Sequence, residues 1–358
     1  MKENNFDLLR LIAALQVMIA HSVSHILSEH GYLLDNGGGY IINMLAHIPG
    51  VPIFFLISGF LITMSYEKNQ DLKEYAKNRI LRIFPGLYVN IFIGIAILSY
   101  FGFVDYNYQF FSWLLAQLTI VQFYNVEMFR GFGVGVINGS LWTISVELTF
   151  YIILPFLYFI FYKNKIFFAL LAVISFIIWN YDVNSSKDIF FNKLIHVSIV
   201  PYIFLFILGI CFYKSFNLIQ RFIENKFLIW FFIFIMFNIL VSLLNIDRNI
   251  YIYALKWVIF SFTVFSFVFS FKSLSNKILR GNDYTFGIYI YHMLVINVFV
   301  YLNYVAEIKF IIAVFILSIL CGIMSWHIIE KPFLKLKTHS IFNERNKEKN
   351  YETTNTII

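Results

Sequence analysis

About ten apolar stretches, each roughly twenty residues long and parted by short polar segments, decide what this chain can fold into. They cover residues 6–28, 49–66, 86–104, 140–162, 166–181, 196–213, 227–245, 251–271, 284–302 and 309–329. Lipid offers no hydrogen-bond partner to a backbone N–H or C=O, so each crossing segment has to be a helix. Hydrophobic residues make up 60% of the chain and charged residues 13%, against about 25% charged in an ordinary soluble domain. The expected fold is an all-α polytopic integral membrane protein of about ten transmembrane helices. The first stretch holds internal charges and no small-residue cleavage site, so it reads as a retained span and not as a secretion signal.

Lysine and arginine orient the spans. With the N-terminus inside, 21 of the 27 fall in cytoplasmic segments, and the positive-inside rule places both termini in the cytoplasm. The same rule absorbs the net charge of +7, so no nucleic-acid partner is implied. Residues 1–336 form the transmembrane domain, and 337–358 a polar tail expected to be disordered. Cys211 and Cys321 lie in apolar segments and offer neither a disulfide framework nor metal spacing. Two longer outer loops, 29–48 with Gly37, Gly38 and Gly39 and 105–139 with Gly131, Gly133, Gly135 and Gly139, are candidates for a lid or an acceptor-facing surface. No internal repeat is visible, which disfavours an inverted-repeat transporter.

Against this apolar background a few polar side chains stand out. Arg10 and His21 share the first span. Eleven residues turn a helix about 20° past three full turns, so both lie on one face, about 16 Å apart along the axis. Arg10 then sits at the inner surface while His21 reaches the outer half, and Asp7, Ala14, Val17 and His25 fall near the same stripe, which should face the protein. A charge or imidazole at such depth is costly and usually has a role; the competing reading is a buried structural pair or a snorkelling arginine.

Arg79 and Arg82 end the first cytoplasmic loop, three residues apart and followed by Pro85. Their guanidinium forks suit phosphate, although arginines here also fix topology. Ser58 is a hydroxyl inside an apolar helix, and Gly59 beside it admits another backbone or a thin ligand. Trp142 suits the outer interface belt. Glu147 lies about 10 Å inward from Ser140, at the height of His21, and needs a partner or a proton. If the two touch, the carboxylate raises imidazole basicity, as a general base requires. Tyr289 and His292 share a face of the ninth span. Pro332, after Glu330 and Lys331, should stop the last helix.

Phe6-Asp7-Leu8-Leu9-Arg10 with His21, Ser58-Gly59-Phe60, Arg79-x-x-Arg82 with Pro85, Leu141-Trp142 with Glu147 and Phe150-Tyr151, Gly287-Ile288-Tyr289 with His292, and Glu330-Lys331-Pro332 follow one another in order. Together they resemble the membrane-bound acyltransferase type 3 family over roughly residues 5–335. The resemblance implies transfer of an acyl group, most often acetyl, from cytoplasmic acyl-CoA to a hydroxyl of a surface glycan or lipid-linked sugar. It implies a bacterial inner-membrane enzyme with no permanently bound cofactor and no metal, acyl-CoA being a substrate. His21 would be the catalytic histidine and Arg10 its motif partner, with Glu147 orienting His21 or holding the sugar. Arg79, Arg82, Ser58, Tyr289 and His292 would line the donor path, and Trp142 would meet the acceptor. Many relatives carry a fused soluble esterase-like domain, for which this sequence leaves no room. Direct transfer with His21 as general base and an acyl-His21 relay both remain open. A transporter or flippase of glycan intermediates is the main alternative and a non-catalytic receptor or assembly subunit the third; neither needs acyl-CoA.

Overall fold

Asp71 accepts the backbone N–H groups of Lys73 and Glu74, satisfying two donors that a helix start leaves open. From that cap one helix, α3, runs Leu72–Tyr100. The computed structural model describes residues 4–27, 48–68, 70–186, 189–246, 249–271 and 273–336, which contain no strand. The glycine run at 37–39 and the tail from 337 lie outside the described residues.

Around α3 stand α1 (Phe6–Ser22, prolonged by a wide turn, Val23–Leu27), α2 (Gly50–Lys68), a short α4 (Tyr108–Leu118), α5 (Trp142–Lys163) and α6 (Lys165–Asn184). The second half adds α7 (Phe190–Val197), α8 (Ile203–Lys214), α9 (Phe216–Ile223), α10 (Phe227–Leu243) and α11 (Ile250–Val268). It closes with α12 (Leu274–Leu279), α13 (Thr285–Tyr301) and α14 (Ile308–Ser325). Among the described residues seven helical stretches are long and apolar enough to cross a membrane, nine if each of two bent pairs counts once. The chain is thus an all-α multi-pass membrane protein.

Three expectations change. The charged segment 67–85 is no loop, because all but its first few residues belong to α3, whose 29 residues span about 43 Å and exceed a ~30 Å hydrocarbon core. The stretch at 196–213 is broken by Pro201, with a 49° bend between Phe190–Val197 and Val200–Lys214. The segment entering 227–245 turns by 82° at Asn225, whose φ is +56°, a conformation asparagine tolerates better than most residues.

Close packing rather than water exclusion holds such helices together. At the α2–α8 contact a Cβ on Gly59 would fall 2.2 Å from the Phe206 carbonyl oxygen, and one on Gly209 2.2 Å from that of Leu56. Gly59 therefore receives another backbone, not a thin ligand. Phe150 stacks on Phe206 at 3.8 Å, sealing α5 onto the same pair. Gly287 and Gly322 bring α13 and α14 together in the same way. Helices α1, α2, α3, α5 and α13 are left around one cavity.

Candidate functional site

A cavity lies among these five helices. Arg10, Arg79 and Arg82 line it, as do Ser58, Glu147 and Tyr289. Along α5 its lining runs from Tyr151 to Thr143, eight residues or about 12 Å of helix.

The arginine end is built from three helices. Arg79 and Arg82 are one turn apart on α3 and so share a face. The Arg79 guanidinium lies 5.8 Å from the Tyr75 ring and 5.5 Å from the Tyr151 ring, within cation–π range. Its Nη2 donates to Ser65 Oγ at 3.2 Å, and its Nε is buried without a partner. Arg82 is ion-paired to Asp283, just before α13. Asp283 Oδ1 also accepts the Thr285 backbone N–H at 3.1 Å. Burial works against the Asp283 carboxylate, but the Arg82 and Arg10 charges outweigh it and hold its carboxyl below the usual value. Arg10 makes a loose pair with Asp7, N–O 3.7 Å. Arg79 and Arg10 are thus less committed than Arg82. Beside this end Glu330 accepts from Ser325 Oγ at 2.9 Å, and Lys331 Nζ and Trp326 Nε1 both donate to Asn282 Oδ1, so Trp326 and Lys331 tie the end of α14 to the residues before α13.

Midway, Glu147 accepts hydrogen bonds from Ser58 Oγ, at 3.2 Å, and from the Tyr151 hydroxyl. Tyr75 donates to the Tyr151 carbonyl at 3.0 Å, which ties α3 to α5 beside the carboxylate. At the far end Tyr289 and Thr143 share a hydrogen bond of 2.7 Å, and Phe54 packs its edge on the Tyr289 ring.

One helical turn beyond Tyr289 stands His292, its ring centroid 5.8 Å away. His292 is fully buried, and its Nε2 lies 2.9 Å from His21 Nδ1, the rings 5.2 Å apart and nearly parallel. One imidazole of such a pair donates and the other accepts, so the tautomer of each fixes that of its partner. The His21 ring also neighbours His25 at 6.1 Å. The shared-face expectation for α1 agrees with the buried Ala14 and Val17, whereas Asp7 is exposed.

Six of the residues singled out in the sequence therefore line one cavity: Arg10, Ser58, Arg79, Arg82, Glu147 and Tyr289. His21 and His292 form a contact pair just past its end. Glu147 and His21 are not brought together: the carboxylate is engaged by Ser58 and Tyr151, and His21 is met by a second imidazole instead. Trp142 stands outside the cavity lining, 5.0 Å from the His196 ring and 5.4 Å from that of Tyr202. Asp283 escaped the sequence reading, and Tyr151 entered it only as part of a motif, with no role. Asp283 has the local signature of a helix-starting residue, two before Thr285, but its pairing with an arginine 201 positions away leaves no local trace. Among the described residues no group of three or more His, Cys, Asp or Glu side chains converges as a metal site.

The sequence has recognisable relatives. A model for an acyltransferase domain matches residues 3–327. Nodulation protein 10 of Rhizobium leguminosarum bv. viciae is 31% identical over 352 residues, covering 94% of each chain. An O-acetyl transferase of Shigella phage Sf6 is 26% identical over 356 residues, covering 93% of this chain and 96% of that one. The peptidoglycan O-acetyltransferase OatA of Listeria monocytogenes serovar 1/2a is 34% identical over 125 residues, 32% of this chain and 20% of its own length. No solved structure matches.

Proposed function

Since this chain belongs to the acyltransferase type 3 family, we propose that it takes an acyl group, acetyl first among candidates, from cytoplasmic acyl-CoA and delivers it across the bacterial inner membrane to a sugar hydroxyl of a surface glycan. The relatives named as O-acetyltransferases support the reaction class. The observation that carries the reading is the polarity of one cavity: arginines at one end, a Ser–Glu–Tyr group midway, and a histidine pair one turn beyond the other end.

In this reading the CoA phosphates meet Arg79 and Arg10, the less committed cations, while Arg82 is held by Asp283 and supplies field and shape. The pantetheine arm follows Ser58, Glu147 and Tyr289 toward the histidines. No resident cofactor is called for. His21 Nδ1–H donates to His292 Nε2, leaving the lone pair of His21 Nε2 free. That nitrogen takes the proton of the sugar hydroxyl as its oxygen bonds to the thioester carbonyl carbon. The tetrahedral oxyanion collapses, the C–S bond breaks, and the departing thiolate takes the proton from His21. His292 fills the orienting place often held by a carboxylate, and Glu147 serves the wall of the donor path.

The test compares purified surface glycan from a deletion strain complemented with wild type, with His21→Ala, or with empty vector, by mass spectrometry and proton NMR. O-acyl signal restored by wild type and not by an equally abundant H21A protein supports the reading. Full acylation by H21A overturns it, and an unchanged acyl pattern with glycan trapped inside would favour a flippase.

A further inference from the structure

The first turn of α2 has a cavity on each side. Val51, Phe54 and Phe55 line the one already described, whereas Pro49 and Pro52 line a second. The wall opposite these prolines is aromatic. Trp179 and Tyr253 stack at 5.1 Å with their planes 14° apart, and Trp257 stands edge-on to Trp179 at 4.8 Å. The charged group among the lining residues is Lys256.

Lys256 lies six residues into α11, about 9 Å along the helix and hence within the membrane-spanning stretch. Its ammonium approaches the Tyr253 ring at 6.0 Å, and among the described residues no carboxylate pairs with it. An ammonium at that depth without a counter-charge is costly, and such residues mark ligand or ion sites. Snorkelling along a bare helix surface would leave it open to the interface; here its side chain borders an aromatic-walled hollow. On α11 Leu255 and Val258, three residues apart, form an exposed apolar face, and Lys256, next to Leu255, stands at its border with lipid. The apolar wall of the hollow disfavours a free polar solute, while its cation favours an anionic group.

We propose that this second cavity holds the phosphate headgroup of an anionic bilayer lipid, with Lys256 as counter-ion and the Trp179–Tyr253–Trp257 wall against the glycerol and upper acyl segments. The assignment does not depend on the acyl-transfer reading. Because the two cavities share the first turn of α2, the lipid also buttresses a wall of the other cavity.

Native mass spectrometry tests it on the full chain in detergent, supplied with phosphatidylglycerol or phosphatidylcholine. Wild type should retain one phosphatidylglycerol in preference to phosphatidylcholine. Lys256→Met should retain it about ten-fold less, the scale of one lost charge-assisted hydrogen bond, and Lys256→Arg should restore it. Equal retention of the two lipids by wild type overturns the proposal without any variant, as does undiminished retention by K256M. Displacement by millimolar inorganic phosphate would overturn the lipid assignment in favour of a soluble anion.

Discussion

His21 and His292 each decide which nitrogen the other can offer. For His21 Nε2 to accept a proton, His292 has to present the lone pair of its own Nε2, which leaves the His292 proton on Nδ1. Replacing His292 with Leu should therefore lower kcat about ten-fold or more while leaving the KM for acyl-CoA near its wild-type value; His292→Gln, whose amide oxygen can still accept from His21, should retain more activity than the Leu variant. Steady-state kinetics in proteoliposomes separate these outcomes, and equal activity in the two variants would remove the orienting role. Asp283 makes a second residue-scale test. Its carboxyl titrates below the ordinary value in the folded state, so its contribution is fully present above about pH 4 and is lost as pH falls through the lowered pKa. Asp283→Ala leaves Arg82 unpaired in the bundle and should cost about 3–5 kcal/mol, seen as a lower Tm at pH 7 and a flatter fall of Tm on acidification. Arg10, His21, Ser58 and Glu147 were legible in the sequence because polarity inside an apolar run is conspicuous. That His21 meets His292 across 271 positions, and not Glu147, was not legible, because equal depth on two helices does not fix which faces meet.

Helix α2 shows what one element does for two others. It offers Gly59 and the Leu56 carbonyl to α8 on one side and Ser58 and Phe54 to the cavity on another. Since the Gly59 contact is backbone against backbone, no flexible side chain can yield to a larger residue. Gly59→Val should destabilise by about 1–3 kcal/mol or more, with a matching fall in Tm in detergent. Gly102→Ala, whose added Cβ meets nothing within 4 Å but whose φ is +78°, should cost about 1 kcal/mol or more through backbone strain alone. Equal losses at the two sites would argue against tight α2–α8 packing. The apolar runs announced this element correctly. They hid the true start of α3, because its first turns carry Lys73, Glu74 and Lys77 and read as loop. The signal was present nonetheless, as Asp71 followed three residues later by Glu74 has the pattern of a helix start.

For the whole molecule, hydropathy predicted helices, and lysine and arginine carry the orientation proposed for them, but neither predicts a bend. Pro201 and Asn225 break two spans because local backbone geometry, which a hydropathy average does not sense, governs them. The proposed orientation has a direct check. Single cysteines at Asn164 and Tyr106, in a protein with Cys211 and Cys321 replaced by Ala, should react oppositely with a membrane-impermeant maleimide: Tyr106→Cys in intact spheroplasts, Asn164→Cys only after lysis. The reverse pattern would invert the direction of transfer.

The midway carboxylate is bound up with two hydroxyls, and the group at the end of the cavity is a pair of imidazoles. In the proposed reaction an acyl group leaves sulfur for a sugar oxygen on one side of the bilayer, and the proton of that sugar ends on the thiol on the other. Acyl cation equivalent and proton travel in opposite directions and cancel. The exchange is electroneutral, so a transmembrane voltage, which does work only on net charge displaced, neither drives nor resists it. The thioester supplies the driving force alone, and a de-energised membrane with acyl-CoA on one face and glycan on the other is all that turnover requires.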